Sequence, residues 1–357
     1  MSKKGIPWPP NYSKVPRLKD SPLISKKYKL TFCPAGKVAS SFFTRYMMVM
    51  ESNGTLTSPY DIPIAEAGRE RVSSLKSLNK SGNMLSFLQS STKVVFGRDP
   101  YSRILSAYID KMFSPNPFYW KHWGERTLKM LRIDKTKGRC ASNVTFAQFL
   151  VYALNDLRKT DVHLMPVSTL CNMCGIIYDV VGKLETVRED LDYLSRKHNI
   201  SSAFQYAKDY KLSASNDVLY DSVTSAFAWK SDIKRCIGLD EMGLRIWRKL
   251  QLRGIIDSRI SYPFKSGELE NMTAETFISF CQEAIKASTD SAQLKKQKVR
   301  VFMEAYGSVR NVLLQKISAN YGDDFDMFGY DPTPDMFENL NQFKEPRFLQ
   351  WDKHWLV

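Results

Sequence analysis

The stretch "FCPAGKVASS", residues 32–41, sets Gly36 and Lys37 in a turn-like setting and follows them with Ser40 and Ser41. A magnesium-nucleotide loop needs a glycine five residues before Gly36 and a Ser or Thr directly after the lysine. Thr31 and Val38 stand at those positions. The loop therefore suits a phosphate gripped without magnesium, by backbone N–H groups and one ammonium. Arg98, in "FGRDP", is a second anion-binding candidate, because a guanidinium offers phosphate oxygens a planar fork. Proton transfer would fall to a histidine, and the chain has four: His122, His163, His198 and His354. Cys171 and Cys174 have the spacing of half a zinc site, but no second Cys or His pair follows at ligand distance. Structural disulfides or buried thiols remain the readings for the six cysteines.

The elements that must position these groups are partly legible. "YKLTFC" (28–33) is a short apolar run bounded by Pro34 and Gly36, the pattern of a buried strand. "SSFFTRYMMVME" (40–51) lacks Gly and Pro and reads as a helix, with Ser40 as its N-cap. "KVVFG" (93–97) is a β-branched strand; Asp99 then suits an N-cap and Pro100 the first helical position. Ile104, Tyr108 and Met112 recur at helical spacing behind it. A polar, turn-rich stretch with a weak helix around 64–78 separates the two units. Residues 114–142 read as a loop with seven Lys/Arg against Glu125 and Asp134. Further on come a helix over 143–157, a third buried strand within 175–186 ending at Gly182-Lys183, and a helix up to Asn199. Strands alternating with helices predict a parallel sheet covered on both faces, with ligands at the strands' carboxyl ends. From 200 to about 300 the pattern is mostly helical, and 301–318 reads as one further helix.

The 357 residues are 43% hydrophobic, enough for a sizeable core, and carry a formal charge of +15, so anionic partners are expected. Residues 1–29 hold eight Lys/Arg against Asp20 alone, among five prolines, and read as an extended basic arm. Charge alone would also admit nucleic acid, but no helix-turn-helix, zinc-finger or RNA-recognition pattern accompanies it. No stretch approaches the length of a membrane span, and no apolar segment of a signal peptide follows Met1. Six Asn-x-Ser/Thr acceptors, at Asn11, Asn53, Asn79, Asn143, Asn199 and Asn271, point to secretory passage.

"CPAGKVASSFFTRYMMVM", "VVFGRDPYSRILSAYIDKM", "NVTFAQFLVYAL", "YDVVGKLET" and "YGDDFDMFGYDP", in this order, resemble the Golgi carbohydrate sulfotransferases, most nearly the HNK-1 and chondroitin/dermatan 4-O-sulfotransferase type. The resemblance covers roughly residues 28–199 and 301–332. It implies an α/β, P-loop-like three-layer fold: a central parallel sheet flanked by helices, plus a mainly helical insertion at about 200–300. On that scheme residues 1–27 form the basic Pro-rich arm, 28–332 the sulfotransferase domain and 333–357 a C-terminal tail. The activity implied is transfer of a sulfuryl group from 3′-phosphoadenosine 5′-phosphosulfate to a glycan hydroxyl, with no metal. The first loop would hold the donor's 5′-phosphosulfate through Lys37, with Val38, Ala39, Ser40 and Ser41; Arg98 and Ser106 would hold the 3′-phosphate.

Lys37 would also stabilise charge on the leaving phosphate oxygen. His163 is the expected base, as the family too has a His ahead of its L-C-x-x-C segment; His122 is the runner-up. Glu185 falls on a family motif and would orient substrate or brace its strand. Cys171 and Cys174 match the family's Cys pair and are expected as disulfide partners. The basic stretch 114–142 suits an acidic glycan acceptor, and no nucleic-acid partner is implied. The family's members are Golgi-lumenal glycoproteins on an N-terminal membrane anchor, which is not visible here. Two departures stand out: Gly36 replaces a proline before the loop lysine, and Phe43-Thr44 replaces Trp-Lys. They keep a second reading open, a catalytically inactive sulfotransferase-like protein that binds anionic glycans.

Overall fold

The computed structural model describes residues 22–68, 71–134, 140–200 and 210–343. Most of the basic arm, Asn11 and His354 lie outside the described residues. The chain divides into two compact units. The first gathers three separate segments, Met1–Pro100, Thr160–Tyr210 and Tyr321–Tyr330; the second takes the rest.

The first unit is built on a four-stranded sheet of order β1-β2-β3-β4, with β1 Leu23–Ser25, β2 Leu30–Cys33, β3 Thr92–Gly97 and β4 Val180–Lys183. β2, β3 and β4 run parallel, with Cys33 opposite Val95 and Gly97 opposite Lys183. The expected all-parallel sheet is corrected at one edge, where β1 pairs antiparallel with β2. The reason is the connection: a tight turn at Lys26–Lys29 can only reverse the chain, whereas a parallel neighbour needs a long crossover. Helix α1 (Ser40–Glu51) follows β2, and α2 (Met84–Ser90) precedes β3. The weak helix near 64–78 is instead a pair of short 3₁₀ turns, Ile64–Glu66 and Leu75–Ser81. The core sits between sheet and helix, where the Phe43 ring packs against Phe32 at 4.7 Å and Phe96 at 4.6 Å. β3 also buries a charge: Lys93 Nζ meets Asp179 at 2.9 Å and donates to the Ser91 carbonyl.

Helix α3 (Pro100–Tyr108) begins at Pro100, as the Asp99-Pro100 pair predicts, and carries the chain into the second unit. That unit is helical. Its long helices are Tyr210–Ala228, Leu239–Leu252, Ala274–Ala287, Ser291–Gly307 and Asn311–Asn320. The last two replace the single helix expected over 301–318. Trp120, Trp247, Tyr108, Phe149 and Tyr306 are buried in it. The stretch 114–142 is not simply a loop: residues 117–130 are helical, with a π-helical segment at Trp120–Gly124. Thr145 and Gln148 form a capping box that starts the helix Phe146–Tyr152. A disulfide joins Cys140 and Cys236.

Candidate active site

The carboxyl ends of β2, β3 and β4 place three loops on one edge of the sheet: 34–39, Arg98-Asp99 and Leu184–Thr186. In the first loop Lys37 and Ala39 both take the left-handed conformation, with φ of 64° and 51°. Ala39, not Ser40, is the N-cap of α1, and no side chain caps that end. Ser40 is the first helical residue and its carbonyl accepts from Thr44 Oγ1. Twelve residues of helix thus point an N-terminus, with its partial positive charge, into the loop beside the Lys37 segment. Val38 is buried in the core and its N–H donates to the Ala35 carbonyl, while Ser41 is exposed.

Arg98 reaches this loop from β3, its Nη1 donating to the Lys37 carbonyl at 3.1 Å. One of the two expected phosphate-binding cations therefore buttresses the backbone that carries the other. Ser106 lies on α3 in the second unit, nearly buried.

His163 comes to the same loop. A Cβ on Gly36 would sit 2.7 Å from the Val162 carbonyl oxygen and 2.9 Å from the His163 Cα. Only glycine permits the two backbones to lie that close, which gives the Pro-to-Gly departure a steric cause. Asp161 Oδ1 accepts both the backbone N–H and the Nδ1–H of His163, each at 2.8 Å. An ionised carboxylate only accepts, so Nδ1 carries the hydrogen in this contact, which makes Nε2 the acceptor of the neutral ring. Asp161 was missed in the sequence, although the Asp-x-His spacing was there to see.

The Cys33–Cys171 disulfide fastens the root of the loop to the helix Val167–Leu170, directly beyond the His163 turn. Of the two cysteines expected in disulfides, Cys171 bonds to Cys33, 138 residues earlier, and the expectation for Cys174 is corrected, since it is an exposed free thiol. Three residues apart in a turn, the two could look like partners; the sheet brings Cys33 to Cys171 instead. Burial pushes the other free thiol, Cys281, up to about 12.

The "YGDDFDMFGYDP" segment closes the site from behind. Asp324, fully buried, accepts the Val167 and Ser168 N–H groups at 2.8 Å each and so caps that helix. The Phe328 ring occupies the space where a Cβ on Gly97 would stand, 2.4 Å from the nearest ring carbon. Tyr330 donates to Glu185 Oε2 at 2.6 Å, and Glu185 Oε1 lies 3.5 Å from the Asp99 amide. Burial first, then this bond to Glu185, raises the Tyr330 phenol well above its ordinary range, so it stays a donor. Lys183 Nζ donates to the Gly329 carbonyl and rests over the Tyr330 ring. Glu185 thus braces the strand end. His122 stands in the second unit, and His198 follows the helix Val187–Lys197 with its Nε2 buried.

A model described as "Sulfotransferase family" matches residues 21–235, more than half of the chain. The chain belongs to the Sulfotransferase family. Among its relatives, Carbohydrate sulfotransferase 9 of Homo sapiens is 35% identical over 175 residues, 48% of this chain and 39% of that protein. Carbohydrate sulfotransferase 11 of Rattus norvegicus is 29% identical over 204 residues, 55% and 57% of the two chains. Carbohydrate sulfotransferase 14 of Homo sapiens is 32% identical over 169 residues, 47% and 44%. The matched region thus spans roughly 40–60% of the length of these relatives. No solved structure matches the chain. The family match includes the loop 34–39, Arg98, Asp161, His163 and Glu185, but ends before the Asp324 and Tyr330 segment.

Proposed function

We propose that this member of the Sulfotransferase family transfers a sulfuryl group from 3′-phosphoadenosine 5′-phosphosulfate to a glycan hydroxyl. The observation that carries the reading is one sheet edge holding a lysine-bearing loop at a helix N-terminus, an arginine bound to that loop, and an Asp-His pair packed against it. The donor supplies a sulfuryl group whose leaving oxygen belongs to a phosphate. Lys37 and the N-terminus of α1 would face the phosphosulfate and stabilise the charge that grows on that oxygen. Arg98 would take the 3′-phosphate. His163 Nε2 would accept the acceptor hydroxyl's proton as the new O–S bond forms and the old one breaks. Asp161 holds the ring in the tautomer this requires. Adenosine 3′,5′-bisphosphate and a sulfated sugar leave the site, with the proton on His163 for release to water.

The first unit carries the P-loop-like strand–turn–helix of this reading, and the helices between Tyr210 and about residue 300, within the second unit, would be the insertion. The relatives' names supply the acceptor class, carbohydrate, and the +15 charge favours an acidic one. Two disulfides and exposed sequon asparagines at 53, 143, 199 and 271 suit the Golgi lumen. No described helix is long and apolar enough to cross a membrane. The alternative, an inactive binder of anionic glycans, drew on Gly36, and the close approach of His163 gives that glycine a reason compatible with catalysis.

Calorimetric titration with adenosine 3′,5′-bisphosphate, beside ATP with magnesium, tests the donor site. Selective micromolar binding, lost in Arg98→Ala, is the expected result, followed by transfer of labelled sulfate to a desulfated glycan. A folded chain that ignores the bisphosphate would overturn the proposal.

A further inference from the structure

The second unit carries an exposed aromatic and cationic face that none of the donor chemistry uses. It is built outward from the core along residues 117–130. Trp120 is fully buried, its Nε1 donating to the Met112 carbonyl and its ring covered by the Arg245 guanidinium at 5.5 Å. Trp123 stacks on Phe149 at 5.7 Å, and Tyr119 meets the Trp123 ring edge-on at 4.7 Å. Lys111 lies over Tyr119 at 4.8 Å. On this rigid base stand Phe118, half exposed, and the exposed His122, with ring centres 4.3 Å apart. Lys121, Arg126 and Lys129 are exposed on the same helical run, with Glu125 the acid among them. Arg126 is steadied by the Tyr152 hydroxyl at 3.3 Å.

The Phe118 and His122 rings, held together on this packed base, present an exposed flat surface that a partner with an apolar face can cover. A pyranose ring fits that cover: one face is all C–H, and its rim carries hydroxyls and, in a uronic acid, a carboxylate. Lys121, Arg126 and Lys129 on the same helical run supply charge for that carboxylate, and Asp156 near Arg126 offsets part of it. We propose that the exposed face of residues 117–130 binds a uronic-acid-bearing glycan chain, a sugar ring lying against Phe118 and His122 with its carboxylates on Lys121, Arg126 and Lys129. This rests on the reading of a carbohydrate acceptor given above, and adds where the polymer is held.

The test is binding of unsulfated chondroitin oligosaccharides to the whole chain, with neutral dextran as the control ligand. Phe118→Ala should weaken chondroitin binding about tenfold, the size of one aromatic contact, and Phe118→Trp should restore it. Lys121→Gln with Lys129→Gln should weaken it further and flatten its dependence on salt. All three variants should keep wild-type melting temperature and bisphosphate affinity. Unchanged chondroitin binding in Phe118→Ala would overturn the proposal. So would a single-stranded oligonucleotide or an anionic vesicle that displaces chondroitin and shows the same loss in Phe118→Ala. If the wild-type chain ignores bisphosphate yet its chondroitin binding depends on Phe118, the donor reading fails and the glycan face stands.

Discussion

Asp161 places one carboxylate oxygen between the backbone and the ring of His163, so two substitutions separate orientation from proton transfer. Asp161→Asn should lower kcat about 10- to 1000-fold with little change in donor KM, because a carboxamide no longer enforces the Nδ1–H tautomer. His163→Ala should lower kcat further, about 100- to 10,000-fold, with bisphosphate affinity retained. Steady-state transfer of labelled sulfate measures both, and a kcat left intact in His163→Ala would move the base elsewhere. At Gly36 the argument is steric. Ala would bring its methyl to 2.7 Å from the Val162 carbonyl, so Gly36→Ala should cost about 1–3 kcal/mol of stability and loosen bisphosphate binding. Urea unfolding and calorimetry would read the two effects separately. Lys37 and Arg98 stood out as cations just past two expected strands and His163 as the histidine ahead of L-C-x-x-C, and the structure brings all three to one loop. Asp161 was passed over because a surface Asp two residues from a His is common, and only the shared hydrogen bonds distinguish this one.

The strands and helices nearest the loop were the most readable elements, since β-branched runs and Gly/Pro punctuation are local signals. β1 escaped because three residues in a Lys- and Pro-rich stretch have no pattern of their own and depend on β2 for pairing. Residues 117–130 were read as loop for another reason. A π-helical turn shifts the spacing of Trp120, Trp123, Thr127 and Leu128 away from the 3.6-residue period. The disulfide was invisible, as no spacing rule links positions 138 residues apart. At this scale the helix Val167–Leu170 should depend on its distant cap. Asp324→Ala strips two charge-assisted hydrogen bonds from a buried helix end and should cost about 2 kcal/mol, measured by chemical denaturation. An unchanged midpoint would show that water replaces the carboxylate.

Across the whole molecule, burial raises the phenols of Tyr46, Tyr108, Tyr262 and Tyr330 above their ordinary range. The folded chain keeps these protons where the unfolded chain releases them near pH 10. The stability they contribute is therefore complete below about pH 10 and is lost as pH rises through the alkaline range. Ultraviolet titration at about pH 11 should show roughly three to four fewer tyrosinates in the native chain than in the unfolded one, out of seventeen tyrosines. Melting temperature should fall over the same interval. Full ionisation of all seventeen in a chain that remains folded would contradict the burial of these rings.

The segment Tyr321–Tyr330 has a consequence in time as well as in space. It is the last part of the first unit to be synthesised, after more than a hundred residues that belong mostly to the other unit. Until it emerges from the ribosome, the helix Val167–Leu170 lacks Asp324, the hollow at Gly97 lacks Phe328, and Glu185 lacks Tyr330. A nascent chain, or one terminated before Tyr321, therefore carries the loop, the arginine and the histidine without these three contacts behind them.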